Sequence, residues 1–122
     1  MVRDAILKHM LNNSVSLDRA FQALADPIRR GMLARLSRGP ASVSELARPL
    51  TISLPAVLQH LQALEASGLI ASTKAGRVRT CRIEPEALSA AEGWIADQRA
   101  HWEARLDRFE DHLAHIKKEE NQ

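Results

Sequence analysis

The 122-residue sequence predicts one mainly α-helical domain with a small β-hairpin wing. Three observations lead there. Apolar residues recur at i, i+4, i+7 in segments opened by capping residues and closed by glycine. The core has to be aliphatic, since the chain holds two Phe, two Trp and no Tyr; a β-sandwich would need aromatic and β-branched runs with frequent turns. Alternation of the β kind is confined to one short region, residues 69–83. A hydrophobic share of 45% with 26% charged residues fits a folded globular chain and excludes disordered, collagen-like and low-complexity classes.

The elements follow in order. Residues 1–13 form an N-terminal extension in which Met1–Asn12, with Ile6 and Met10 on one side, reads as a short extra helix before a break at Asn12-Asn13-Ser14. Leu17, Phe21 and Leu24 mark the apolar face of a first core helix. Asp26-Pro27 is an N-cap followed by proline at the first helical position, opening a helix from Ile28 to Ser37 that Gly39-Pro40 stops. Ser42-Val43-Ser44-Glu45 is a capping box for a short helix Val43–Leu50. Ser53 caps a longer helix from Leu54 to Ser67, with Pro55 in its first turn, Val57, Leu61 and Leu64 inward, and Gly68 at its end.

After Gly68 the pattern becomes strand (Leu69–Thr73), turn (Lys74–Arg77), strand (Val78–Ile83). Glu84-Pro85 then opens one long amphipathic helix over residues 85–116. Leu88, Ile95, Trp102, Leu106, Phe109 and Leu113 lie along it, more apolar surface than one small body can cover, so this helix is expected to form a dimer interface. Trp94 and Trp102 are read as anchors of that interface.

Helix, helix, short turn, helix, basic hairpin is the order of a winged helix-turn-helix with a long C-terminal dimerisation helix, and residues 17–83 are its DNA-binding core. In that arrangement Leu54–Ser67 enters the major groove of double-stranded DNA. Pro55, Ala56, Gln59, Gln62 and Ala63 fall on its outer side, Ser53 at its exposed end, and His60 beside the apolar stripe. Gln59 can donate to and accept from an adenine edge, Ala56 can meet a thymine methyl, and Ser53 with the first-turn amides can hold a phosphate. The hairpin carries Lys74, Arg77, Arg79 and Arg82 and no acid from Leu69 through Ile83, which suits phosphate. Charge is partitioned accordingly: residues 1–83 hold 12 Lys and Arg against 5 Asp and Glu, and residues 84–122 hold 5 against 10. The acidic helix is repelled by phosphate and belongs away from DNA.

These residues carry a family resemblance. Leu24-Ala25-Asp26-Pro27-Ile28-Arg29-Arg30, Ser42-Val43-Ser44-Glu45-Leu46-Ala47, Ser53 through Leu61, and Leu64-Glu65-Ala66-Ser67-Gly68-Leu69-Ile70 resemble the ArsR/SmtB family of bacterial repressors in order and spacing. The tail around Trp94, Gln98, Arg99, His101, Trp102, Leu106 and Asp107 is similar to a non-metal subgroup often found beside genes for START-like-fold proteins. The resemblance implies a homodimeric repressor, terminal helices at the dimer interface, and recognition helices and wings on a two-fold symmetric operator. Two positions depart from the family pattern: Leu58 and Gln59 stand where a small hydroxyl residue and a Lys or Arg are usual. The family's cysteine-rich metal motif is replaced by Glu45-Leu46-Ala47-Arg48-Pro49.

Other classes fare worse. There is no Gly-rich phosphate loop, nucleophile elbow or paired carboxylate, so no enzyme is expected, and no cofactor. The N-terminus lacks the apolar region of a signal peptide, and no stretch is long enough to span a membrane, so a cytoplasmic protein is expected. Cys81, the sole cysteine, is read as a small buried hydrophobe. A rival reading, a histidine-site metal sensor of the same family, rests on His101, His112 and His115. His101 and His112 are about 16 Å apart along a helix, and Arg99 stands where a carboxylate ligand belongs, so one ion could join them only across an antiparallel dimer. A second rival is a winged-helix interaction module that ignores DNA; the salt dependence of DNA binding separates the two.

Overall fold

The computed structural model describes residues 2–121, apart from the side chains of residue 2 and residues 6–15. The order is α1 (Val2–Leu24), α2 (Pro27–Leu36), β1 (Ala41–Ser42), α3 (Val43–Ala47), α4 (Leu54–Ala66), β2 (Ile70–Ala75), β3 (Val78–Ile83) and α5 (Pro85–Glu120). The chain divides after Ala91 into two units, a packed body and the remainder of α5. No helix among the described residues is long and apolar enough to cross a membrane.

In the body, α1, α2, α3 and α4 enclose a core of Ala20, Ala23, Met32, Leu33, Leu36, Leu46, Val57, Leu61 and Leu64, which Leu69, Ile70 and Cys81 close from the sheet side. It is aliphatic, as the scarcity of aromatic residues requires. Val57, Leu64 and Leu69 are completely buried. The caps read from the sequence are in place: Asp26 Oδ1 accepts from the amides of Ile28 (2.8 Å) and Arg29 (3.1 Å), and Ser53 Oγ from that of Ala56 (3.3 Å). At Ser42 the box is a variant, because Oγ accepts from the Glu45 amide at 3.1 Å while donating to Glu45 Oε1 at 3.3 Å. Gly68, at φ +79°, ends α4 in a Schellman motif, with its amide on Glu65 O and that of Leu69 on Leu64 O.

Several boundaries differ from the sequence reading. The helix α1 runs unbroken through Asn12-Asn13-Ser14, since polar residues of modest helix propensity cost too little each to stop a long helix. The apolar side assigned to Ile6 and Met10 lies outside the described side chains. The helix α3 ends at Ala47 rather than Leu50. The hairpin gains a third strand: β1 pairs antiparallel with β3, Ala41 opposite Cys81 and Ser42 opposite Thr80, giving sheet order β1-β3-β2. The hairpin loop is only Gly76-Arg77, with Ala75 opposite Val78, so Lys74 lies within a strand. Gly76, at φ +62°, fills the first loop position, which type II′ hairpins reserve for glycine.

Candidate nucleic-acid interface

Burial of Val57, Leu61 and Leu64 fixes how α4 is rotated, leaving Leu54, Pro55, Leu58, Gln59 and Gln62 exposed. Ala56 and Ala63, expected outside, are half-buried. Ser53 is exposed at the helix start, but its hydroxyl is engaged as the cap and Pro55 has no amide hydrogen, so the first turn offers fewer donors to a phosphate than an uncapped end.

His60 does not join the base-facing set. It is half-buried, with Nδ1 3.2 Å from Arg29 Nη1 and 4.0 Å from Asp26 Oδ1. The apolar stripe is wide enough to turn position 60 toward α2, where a guanidinium and a carboxylate receive it. The Asp26 carboxyl is held below its ordinary 3.8, chiefly by the Arg29 amide; partial desolvation opposes this, while the Ile28 amide and the nearby His60 and Arg29 add to it.

On the wing, Lys74, Arg77 and Arg79 are exposed, and no hydrogen bond or ion pair with the described residues engages them. Lys74 and Arg79 stand directly opposite each other in the β2–β3 ladder. Like charges so placed destabilise a sheet, so the hairpin carries a concentrated positive charge that a polyanion would relieve. Arg82 is different. Its Nη1 donates to Thr73 Oγ1 at 2.9 Å and its Nε lies 3.3 Å from Glu84 Oε1, which ties it to the hairpin and offsets its charge.

Wing and recognition helix flank one cleft of about 500 Å³. Leu54, Leu58 and Val78 line it together with Lys74, Arg77 and Arg79, residues 42–44 complete it, and none of the lining residues is acidic. The structure therefore brings the three wing cations to the first turns of α4. The exposure of Leu54 could not be read from spacing, because it precedes Val57 by three positions and Leu61 by seven and so continues the inward stripe; Leu58 was marked only as a departure from the family pattern.

Cys81 is buried, and burial, with help from Glu65, pushes its thiol upward while Arg79 pulls the other way. It is a core residue, as expected. Leu88 lies before the division at Ala91, is half-buried and packs in part against the core of the body.

In the second unit every described residue is exposed, including Trp94, Ile95, Trp102, Leu106, Phe109, Leu113 and Ile116. From Trp102 the apolar positions advance by four, three, four and three, the spacing of a coiled-coil seam. The three histidines are separate. His101 Nδ1 lies 2.7 Å from Asp97 O, His115 Nε2 lies 3.1 Å from Glu119 Oε1, and no group of three metal-ligating side chains occurs among the described residues.

Residues 24–73 match the model of a helix-turn-helix domain family. The chain is 48% identical over 75 residues to the HTH-type transcriptional regulator Rv2034 of Mycobacterium tuberculosis, covering 62% of this chain and 70% of the relative. It is similar to the crystal structure of an ArsR family transcriptional regulator, with TM-score 0.71 and 54% identity over 74% of this chain and 93% of that one. It is also similar to the solution structure of the homodimeric winged helix-turn-helix DNA-binding domain of Mb0332 from Mycobacterium bovis, a possible ArsR-family regulator. There the TM-score is 0.57 and the identity 25%, over 82% of this chain and 89% of that one.

Proposed function

The chain belongs to the ArsR/SmtB family of winged helix-turn-helix transcriptional regulators, which are not enzymes, and from that membership we propose the parts by which it acts as a homodimeric repressor on a two-fold symmetric DNA site. Residues 17–83 bind DNA. The first turns of α4, through Ser53, Pro55, Ala56 and Gln59, approach base edges and adjacent backbone in the major groove, while Lys74, Arg77 and Arg79 neutralise phosphate. The observation that carries this reading is the acid-free cleft, where three cations with no ion pair among the described residues flank the exposed end of α4.

The helix over residues 85–116 makes the dimer through its part beyond Ala91. An isolated helix cannot bury an apolar stripe against itself, and the seam from Trp102 to Ile116, about 21 Å long, suits pairing with a second copy. Two linked half-sites then bind far more tightly than one, and a dimer seated on a promoter excludes other proteins from it.

Selection of bound duplexes from a random pool, followed by gel shifts over a salt series, tests the proposal. The expected result is an inverted repeat, bound with an affinity that falls steeply as salt rises. Absence of duplex binding at low salt would overturn it in favour of a protein-pairing module.

A further inference from the structure

We propose that Leu54 and Leu58 are specificity-determining residues that contact thymine 5-methyl groups, so that the DNA site carries thymine where the first turns of α4 meet the major groove. This rests on the reading of the cleft as a DNA interface and deepens it.

The two side chains are 56% and 42% exposed, unusually open for leucines in a helix that buries Val57, Leu61 and Leu64. They are not needed by the core, which Val57, Leu61 and Leu64 complete. They lie one turn apart on the wing side of α4, and with Val78, 53% exposed, they form an apolar surface beside Lys74, Arg77 and Arg79. A partner for this surface has to present apolar groups next to dense negative charge. Duplex DNA does so chiefly in one way, because the thymine methyl is the apolar group that projects furthest from the major-groove edges of the bases. A cytosine amino group in that place would lose water against a leucine and gain no acceptor; the N7 and O6 of guanine would lose water and gain no donor. The leucines thus favour thymine by contact and disfavour G·C pairs by desolvation. Gln59, next along the helix, supplies polar recognition on the adjoining face.

The test uses the full chain and the tightest duplex from a random-pool selection. Each thymine is replaced singly by deoxyuridine, which removes the methyl group and keeps the pairing. The expected result is a loss of about fourfold at one or two positions in each half-site, the worth of one buried methyl. Leu54→Ala and Leu58→Ala should each abolish the loss at the thymine its own leucine contacts, with an unchanged salt slope and, both residues being exposed, an unchanged melting temperature. Unaltered affinity at every deoxyuridine, or a deoxyuridine loss as large in both leucine variants as in the parent, would overturn the inference while leaving DNA binding intact. Absence of duplex binding by the parent would overturn both readings.

Discussion

Arg29 Nη1 lies 3.2 Å from His60 Nδ1, and this contact joins the first turn of α2 to the middle of the recognition helix. A guanidinium only donates, so Nδ1 is the acceptor of this contact when the imidazole is neutral. The same side chain donates through Nε to Ala23 O at 2.8 Å and through Nη2 to Gln22 O at 3.0 Å, so one arginine fastens α1, α2 and α4 together. Arg29→Lys keeps the charge and loses the fork. Loss of these bonds should cost about 1–3 kcal/mol, seen as a melting temperature several degrees lower. His60→Ala should return the same selected DNA sequence as the parent, because His60 orients the helix and does not read bases; a changed base at one position would contradict this.

Asp26 sets an acid limit on the start of α2. Its carboxyl lies below the ordinary 3.8, so its stabilising effect is fully present above that value and is lost as pH falls through the lower folded value. Asp26→Asn keeps a capping acceptor but removes the titration. Thermal melts from about pH 6 to about pH 2 should show the parent more stable than the variant at the upper end and the gap closing in acid. A gap independent of pH would refute the assignment.

For the wing, Arg77→Ala and Arg79→Ala should each weaken binding to all duplexes alike and reduce the slope of log affinity against log salt by about 1. Gln59→Ala should do the opposite: it should relax preference at one base position by about 1–3 kcal/mol and leave the slope alone. Titrations at four or more salt concentrations distinguish the two patterns.

On the proposed interface, dimer formation depends on the seam of α5. Trp102→Glu or Phe109→Lys places a charge among apolar groups, and sedimentation should then show monomers that no longer hold the inverted repeat. Because the body, which runs to Ala91, has its own buried core, the helical signal of the elements outside α5 should persist in the far-ultraviolet spectrum. An intact dimer in both variants would sink the interface assignment.

What could be read from the sequence was what depends on near neighbours. Asp26-Pro27, Ser42 with Glu45, Ser53 with Pro55, and Gly68 act within a few residues, and each marked its boundary. The inward stripe of α4 followed from spacing alone. What could not be read depends on distant partners. The strand β1 is two residues long and exists only because Cys81 and Thr80 present a free edge some forty positions away. His60 looked available until Arg29 and Asp26 were placed beside it, and Arg82 looked like a free cation until Thr73, on the other strand of the hairpin, was placed beside it. Leu88 was grouped with Ile95 and Trp102 by periodicity, but the body claims the first turns of α5.

The facing of Lys74 and Arg79 gives ionic strength two opposed effects in one hairpin. In the free protein, added salt screens their repulsion, so the tip of the wing should become quieter and its amides exchange more slowly as salt rises. In the proposed complex the phosphates would perform that screening, and added salt would displace them. The wing should therefore be most agitated in dilute buffer without DNA and calmest when bound, so that relief of a tension already present in the unliganded sheet would contribute to binding.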